Sequence, residues 1–478
     1  MRKAFAALTR SAVPGSIRFP AWPARGFGPN PTRPVPAWLE WLPSLLLMVL
    51  LSPVWYETDA YRIALLLIAV LALVHYFTVD FWYESRPRIG AMGLACIAWG
   101  AYVAWRIAAF AMSHPGEPLG SNEGIYLLTA AYGTLGYAMW RYMNRPLVLA
   151  TTFMIVSLAA LIWGFDFGLL EAGHRASTRL HNNTIHAAIA AGFILLAAIA
   201  YGAHAVAVAE RDRSWPASAM VALAGATAIV AALTVIALTS KGVWLSLGVA
   251  LPLLLIAIAR HGVRHGKNRA GLALFTSAAA VLTASTAFAF KDRLVSISLK
   301  STESAISLGE AVLGSGSIAQ SMRDIAGNPE TPRTVVDRLT LWVNGLEIWQ
   351  NHPIAGAGLA WLGEWQNRPD GTTMPFDFFH NGFLEIAVRY GFVGLVFYGV
   401  LFAWSARQAH RASLEGLLPR TAWHLHVSAM VYFALTLLTN SNVRLAIGEA
   451  YMLFAAGFGF YCFALRQDAG TVHSRSWI

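Results

Sequence analysis

Long apolar runs separated by short polar segments recur along most of the chain. Each run is close to the roughly 20 helical residues that a bilayer-spanning helix needs. The runs lack the alternation of apolar and polar positions typical of membrane β-barrel strands, so they predict helices. The pattern predicts twelve spans, at residues 38–55, 61–80, 89–111, 123–140, 146–163, 183–208, 217–238, 242–259, 270–289, 381–403, 421–439 and 444–464.

The predicted fold is therefore all-α, a polytopic membrane protein with one long polar loop that contains helices. The predicted parts are a basic, Pro-rich tail at 1–37, nine spans within 38–289, the loop at 290–380, three spans within 381–464 and a tail at 465–478. Composition agrees with this organisation, since 56% of the residues are hydrophobic and 13% are charged. A soluble domain carries about a quarter charged residues.

The distribution of basic residues predicts the orientation. More than half of the 35 Lys and Arg residues lie in the two tails and in alternate short loops. Cytoplasmic loops are enriched in Lys and Arg, so both termini are predicted to be cytoplasmic and the long loop to lie on the outer side. This topology accounts for the net charge of +10, which therefore does not indicate nucleic-acid binding. Cys96 and Cys462 fall in predicted spans, which argues against a disulfide framework or a zinc site.

Five basic residues lie at the outer boundary, where the orientation rule disfavours them. They are Arg175 and Arg179 before the sixth span, Lys241 at the eighth, Arg338 in the long loop and Arg389 in the tenth span. Guanidinium groups make forked contacts to phosphate oxygens, and lysine supplies a compact charge. A pyrophosphate carried by a membrane lipid lies at this depth, so an anionic site is predicted here. For Arg389, an i, i+4 ion pair with Glu385 is the alternative.

A histidine stands at the mouth of the tenth span, in the stretch FDFFHNGFLEIAVRYGFVGL. His380 is the candidate general base, because imidazole titrates near neutral pH and can accept a proton from an attacking hydroxyl. The alternative is a boundary residue hydrogen-bonded to a neighbouring loop. Asp377, one turn earlier, is a candidate to orient it. His181 and His186, in the stretch HNNTIH, are predicted to be polar lining.

Two further features leave alternatives open. Glu57 and Asp59 can hold a divalent ion against a diphosphate, although an E-x-D tripeptide is common by chance. Arg106 is a cation within the third span, which fits a transporter or a residue paired to a backbone carbonyl or an acid. The sequence has no Walker-type loop and no G-x-G-x-x-G opening a helix, so nucleotide-driven chemistry is not predicted.

The second half of the long loop shows helical periodicity. Residues 335–353 carry Leu339, Trp342, Val343 and Leu346 at helical spacing, which predicts an amphipathic helix on the bilayer surface. Tryptophans at 342, 349, 361 and 365 favour a packed, functional loop over a disordered one.

Two motifs in this region resemble the O-antigen ligase family. The first, H-N-x-x-L-E-x-x-x-x-x-G, is formed by His380, Asn381, Leu384, Glu385 and Gly391. The second, D-R-x-x-x-W-x-x-G-x-x-I-W-x-x-x-P-I-x-G-x-G, extends from Asp337 to Gly358. The topology of about twelve spans with a long outer loop late in the chain is similar as well.

The resemblance implies a GT-C-like membrane glycosyltransferase that needs no ATP, cofactor or essential metal. Such an enzyme transfers a polysaccharide from undecaprenyl diphosphate to a sugar hydroxyl of lipid A–core, at the periplasmic face of the bacterial inner membrane. This reaction completes lipopolysaccharide.

The resemblance also assigns roles to residues of this chain. It places the family's loop histidine at His380, its loop arginine at Arg338 and its Ser-Arg-Gly segment at Ser240-Lys241-Gly242, where lysine replaces the usual arginine. With Arg175, Arg179 and Arg389 these cations would bind the diphosphate, and Asn381, Glu385 and His181 would line the site.

Two alternatives to ligation follow from the same residues. An O-antigen polymerase would use the same donor with another lipid-linked glycan as acceptor. A transporter of an anionic lipid or solute would use the outer cations as a binding site and need access from both faces.

Overall fold

The computed structural model describes residues 37–78, 87–116, 123–143, 145–166, 178–212, 214–265, 318–329, 331, 333–368 and 378–475. Within these ranges the regular structure is helical, as predicted. The α-helices are α1 Ala37–Leu50, α2 Ala60–Thr78, α3 Gly90–Ser113, α4 Gly124–Leu127, α5 Tyr132–Tyr142, α6 Pro146–Gly164, α7 Thr184–Asp212, α8 Trp215–Ala237, α9 Lys241–His265, α10 Ile318–Ala326, α11 Arg333–Asn351, α12 Trp361–Gln366, α13 Gly382–Leu414, α14 Arg420–Leu437 and α15 Ala446–Arg475. Short 3₁₀ turns lie at Ser52–Val54, Leu128–Ala131, Gly358–Ala360 and Asn442–Arg444.

Eight of the described helices are long and apolar enough to cross a membrane, and each coincides with a predicted span. They are α2, α3, α6, α7, α8, α9, α13 and α15. The multi-pass membrane architecture follows from these eight helices, because helical hydrogen bonds satisfy the backbone polar groups that a bilayer cannot. The helix α7 is the most enclosed, with α6, α8, α9 and α14 packed around it.

The remaining predicted spans differ from this pattern. The first predicted span, 38–55, contains only the 14-residue α1, and the fourth, 123–140, is divided into α4, a 3₁₀ turn and α5. The eleventh corresponds to α14, which is less apolar than the eight, and the ninth, 270–289, lies outside the described residues. The count of twelve therefore stays a prediction.

Several connections meet at one end of the helix bundle, which is called the site end below. The backbone N–H of Glu57 donates to the carbonyl of Leu180 at 2.9 Å, and the N–H of Gly382 donates to that of Asn440 at 3.1 Å. These bonds join the α1–α2 connection to the α6–α7 connection, and the start of α13 to the α14–α15 connection. Two groups of connections are formed in this way, one that contains Glu57 and Arg179 and one that contains His380.

The predicted amphipathic helix is α11, and it begins at Arg333 and ends at Asn351. Leu339 and Val343 pack against Met322 of α10, whereas Leu341 and Ile348 pack into a second apolar cluster. That second cluster contains Trp361, Trp365, Phe379, Leu384 and Val388. Two faces of α11 are therefore covered by protein, and its predicted contact with the bilayer surface stays a prediction. The four tryptophans are packed here, as their number in a polar loop suggested.

The long helix α13 is interrupted at Gly391, which has φ 60° and ψ −155°. Residues 382–390 form a short helical segment against α11, and residues 392–414 continue toward the opposite end of the bundle. The hydrophobic run that looked like a single span therefore contains two helical pieces. Glu385 and Arg389 both lie in the first piece, which is buried within the protein.

Candidate functional site

His380 is held immediately before the start of α13. Asn381 caps the helix, because its Oδ1 accepts from the backbone N–H groups of Phe383 and Leu384, both at 3.1 Å. His380 itself has φ 50°, in the left-handed region that non-glycine residues seldom adopt. The cap and this turn together fix where the imidazole leaves the backbone.

Three polar side chains act on the imidazole of His380. It shares a hydrogen bond with the side chain of Asn440, and the charges of Arg338 and Glu385 both act on it. The ring of Phe378 lies edge-on, with centroids 4.4 Å apart. Burial, and then the positive charge of Arg338, lower the pKa of His380 below its ordinary value, while Asn440 and Glu385 act in the opposite direction. The imidazole is therefore neutral at neutral pH, which is the form that can accept a proton.

Arg338 approaches His380 from α11. Burial lowers the pKa of this guanidinium, which nevertheless stays protonated because an arginine loses its proton only in strong base. The charge of Arg338 therefore acts on the neutral base His380, and the roles predicted for these two positions stay predictions.

Glu385 connects the His380 turn to the α14–α15 connection. Its Oε1 accepts from the backbone N–H of Phe379 at 2.7 Å and from the hydroxyl of Ser441 at 2.8 Å. Its Oε2 pairs with Arg389 and lies 3.7 Å from Nη1 of Arg444. Glu385 was predicted to line the site. It is fully buried, and its bond to Phe379 supports the turn that carries His380 from inside the protein.

Arg389 lies in the protein interior and is only 1% exposed. Its Nε donates to Oε1 of Glu123 at 2.6 Å, and its guanidinium lies over the ring of Trp361, 4.3 Å from the centroid. The i, i+4 ion pair with Glu385 is present as well. This position argues against direct contact with a diphosphate. It also explains the two titratable groups in an apolar run, because they neutralise each other inside the protein and do not face lipid.

Lys241 begins α9 at the same end of the bundle, and its side chain is exposed. The next residue, Gly242, packs so closely on Thr439 that an added Cβ would overlap the threonine hydroxyl. Asn440, the hydrogen-bond partner of His380, follows Thr439 directly. The start of α9 thus contacts Thr439, which is the residue before the hydrogen-bond partner of His380.

Two of the other predicted site residues, the diphosphate-binding Arg179 and the lining His181, belong to a neighbouring group of loops. Arg179 is exposed, and its backbone N–H donates to the carbonyl of Gly164 at 2.9 Å. His181 is mostly buried, with Nε2 3.3 Å from the carbonyl oxygen of Pro53, and burial lowers its pKa. The contacts of both residues are with the α1–α2 and α6–α7 segments, and Arg175 lies outside the described residues.

Glu57 and Asp59 have ion-pair partners in the structure. Oε1 of Glu57 lies 3.0 Å from Nδ1 of His186, and this contact lowers the pKa of the carboxyl group. Asp59 lies 3.3 Å from Nη1 of Arg62. Within the described ranges no three His, Cys, Asp or Glu side chains are grouped as a metal site would require.

Sequence reasoning missed four residues of the buried network. They are Glu123, Asn440, Ser441 and Arg444, all in connections at the site end. The stretch Asn440–Arg444 reads NSNVR between two apolar helices, and this density of polar side chains was the available signal. Glu123 carried no comparable signal, because the contacts that identify it are with Arg389 and Tyr390, 266 and 267 residues away in the chain.

Comparison with known families supports the importance of this region. The model of the O-antigen ligase family matches residues 226–399, roughly a third of the chain. The matched segment begins within α8 and ends within α13, and it contains Lys241, Arg338 and His380. A comparison with curated proteins gave no match. The match confirms the resemblance seen in the two sequence motifs, and it supports an assignment of this segment to the O-antigen ligase family.

Proposed function

We propose that the protein is an O-antigen ligase that uses undecaprenyl-diphosphate-linked polysaccharide as donor and lipid A–core as acceptor. The proposed location is the bacterial inner membrane, with both termini cytoplasmic and the site end at the periplasmic face. The family match supports chemistry of the ligase and polymerase type. The observation that supports the mechanism is the effect of the Arg338 charge on His380, because it brings a phosphate-binding cation within electrostatic reach of a neutral base.

In the proposed reaction, His380 takes the proton from the acceptor hydroxyl as its oxygen attacks the anomeric carbon of the donor. A new glycosidic C–O bond forms while the bond between that carbon and the diphosphate oxygen breaks. The electron pair leaves with the lipid diphosphate, and the configuration at the anomeric carbon is inverted. A general base of this kind contributes about 10²–10⁴-fold to the rate.

Arg338 and Lys241 are proposed to hold the diphosphate and to offset the negative charge that develops as it leaves. Fixed positive groups in a partly buried site stabilise such charge without reorganising during the reaction. Arg179 is proposed to act at the margin of the site, along the α6–α7 segment, and Arg175 is proposed to bind the same diphosphate. Arg389 is left out of this role, because its guanidinium is occupied by Glu123 and Glu385.

An O-antigen polymerase remains the second candidate, since the family match supports it equally. The transporter alternative is weakened by Arg106, whose guanidinium donates to the backbone carbonyls of Gly356 and Arg389 at 2.9 and 3.2 Å. This is the backbone pairing considered for Arg106 from the sequence. Because these carbonyls occupy the guanidinium, Arg106 is not available to bind a transported anion.

The test is reconstitution of the purified protein in proteoliposomes, with lipid-linked polysaccharide as donor and purified lipid A–core as acceptor, without ATP or an ion gradient. Product should form with the wild type, and His380→Ala should lose about 10²–10⁴-fold in rate. His352→Ala is the matched control, because His352 pairs with Glu364 2.8 Å away and has no role in the mechanism.

Three results would separate the candidates. Elongated donor glycan without any modified lipid A–core would identify a polymerase. Movement of labelled lipid across the bilayer without a glycosylated product would identify a transporter. Unchanged transfer by His380→Ala would remove the histidine from the mechanism.

A further inference from the structure

The interruption of α13 is bridged by residues 353–357, a tight turn that follows α11 and is called the hairpin below. Phe392 and Val393, just after the break, donate their backbone N–H groups to the carbonyls of Pro353 and Ile354 at 2.8 and 3.1 Å. In the other direction, Ala357 donates to the carbonyl of Val388 at 2.8 Å. The peptide groups that a broken helix leaves unpaired are thus bonded to residues 353–357. The hairpin and the break form one backbone unit.

Arg106 of α3 also binds to this backbone unit, through hydrogen bonds from its guanidinium. Its Nη1 donates to the carbonyls of Ala355 and Arg389, the latter at 3.2 Å, and its Nη2 donates to Gly356 at 2.9 Å. The hydroxyl of Tyr102 lies 3.1 Å from Nη1. The acceptors therefore come from the hairpin and from the first piece of α13. A guanidinium can satisfy several carbonyls at once because its donors form a fixed planar fork.

The geometry of Gly358 shows how closely this cation is fitted. Gly358 has φ 63°, and a Cβ added there would overlap Nη2 of Arg106. The guanidinium thus occupies the space that any larger residue would need. Its charge also faces the ring of Tyr390, 5.9 Å from the centroid, which adds a cation–π contact.

The two parts that Arg106 joins are the two parts that carry the proposed chemistry. The hairpin follows directly from α11, which bears Arg338, and the first piece of α13 follows directly from His380. We propose that Arg106 is a positioning residue, which holds α11 against the start of α13 and so sets the separation of Arg338 from His380. This inference rests on the proposed function, and it adds a role for a residue outside the family-matched segment.

The experiment measures steady-state transfer by Arg106→Lys and Arg106→Ala in the proteoliposome assay. A small displacement of a positioned group costs about 10²-fold, and we expect kcat/KM to fall by that order in both variants. Lysine keeps the charge but lacks the fork, so it should not restore activity. Arg466→Ala is the matched control, since Arg466 pairs with Glu415 2.8 Å away at the opposite end of the bundle.

A pH profile separates positioning from a general loss of folded protein. The groups that act on His380 are Arg338 from α11, Glu385 from α13 and Asn440 from the α14–α15 connection. If α11 moves away, His380 loses the positive charge that lowers its pKa, and the acid limb of kcat/KM should move to higher pH. A smaller amount of correctly folded protein would lower the rate without moving that limb.

A tether provides a rescue test. Ile354 and Val393 are 71% and 43% exposed and share a backbone hydrogen bond of 3.1 Å, whereas Cys96 and Cys462 are fully buried. A short bis-thiosulfonate cross-linker on Ile354→Cys/Val393→Cys should therefore restore much of the activity lost in Arg106→Lys. If Arg106→Ala does not accumulate in the membrane, comparing the activity of Arg106→Lys with and without the cross-link tests the same proposal.

The two levels of the proposal fail in different ways. Wild-type kcat/KM and an unmoved acid limb in Arg106→Lys, together with an inactive His380→Ala, would overturn the positioning role alone. Full activity of His380→Ala would overturn the proposed mechanism itself. Loss of activity that the tether does not restore and that leaves the acid limb unmoved would assign Arg106 to folding only.

Discussion

The guanidinium of Arg338 lies close enough to the imidazole of His380 for its charge to lower the pKa of that imidazole. The two residues are 42 positions apart in the chain, and α11 and the start of α13 bring them together. A cation beside a base reduces the affinity of the base for protons. In return it keeps the base in its neutral form over a wider range of pH.

The first prediction concerns the pH dependence of transfer. His380 acts only when neutral, so kcat/KM should fall at acidic pH with an apparent pKa below the ordinary 6.5. Replacing Arg338 by Gln removes a positive charge, raises the pKa of His380 and should move the acid limb to higher pH. The measurement is kcat/KM against pH for both proteins. Arg323→Gln is the control, because Arg323 pairs with Glu347, and an identical shift in that variant would refute a specific effect of Arg338.

The second prediction concerns the buried ion pairs. Arg389→Met leaves the carboxylates of Glu123 and Glu385 buried beside each other without their main partner. Removing one member of such a group typically costs about 3–5 kcal/mol, so thermal unfolding in detergent should occur at a clearly lower temperature. The double variant Glu123→Gln/Arg389→Met should recover part of this loss.

The matched control for that prediction is Arg466→Met. Arg466 and Glu415 form a partly exposed pair, and pairs of that kind contribute about 0–1 kcal/mol. Equal unfolding temperatures for Arg389→Met and Arg466→Met would show that the interior pair contributes nothing special to stability.

The third prediction uses two glycines of the same helix. Gly391 has a backbone conformation nearly restricted to glycine, and an added Cβ would overlap the carbonyl of Ile354. Gly391→Ala should therefore destabilise the protein by about 1–3 kcal/mol and loosen the hairpin. Gly399, two turns later, has open space around it, so Gly399→Ala should be neutral or stabilise the helix by about 0.5–1 kcal/mol. Unfolding temperature and protease cleavage within 353–358 give the readout, and similar values for the two variants would contradict the assigned strain.

Much of the membrane architecture could be read from the sequence, because apolar length alone determines whether a helix can cross a bilayer. The break at Gly391 could not, since the run on both sides of it stays apolar and the signal for the break is a hydrogen-bonded partner nearly 40 residues earlier. The same limit applies to α11. Its periodicity predicted a helix correctly, but not that a second layer of protein would cover it.

The candidate site was predictable where the chemistry belongs to single residues. His380 and Arg338 were identified by residue type and position at the outer boundary, and in the structure the charge of Arg338 acts on the imidazole of His380. Arg389 shared the same sequence features and lies elsewhere, because Glu123 and Glu385 enclose it. An arginine paired with carboxylates, such as Arg389, and an arginine that binds a substrate anion have the same sequence features. Only their neighbours in space distinguish them.

The hairpin at residues 353–357 has one practical consequence for engineering this protein. Its backbone makes three hydrogen bonds to residues on both sides of the break in α13. Inserting or deleting one residue in the hairpin would therefore misalign these bonds. Reporter peptides, epitope tags or affinity handles should be inserted elsewhere, for example at the exposed turn around Gly116. The connection that ends the second sequence motif thus supplies hydrogen-bond partners to both pieces of one interrupted helix.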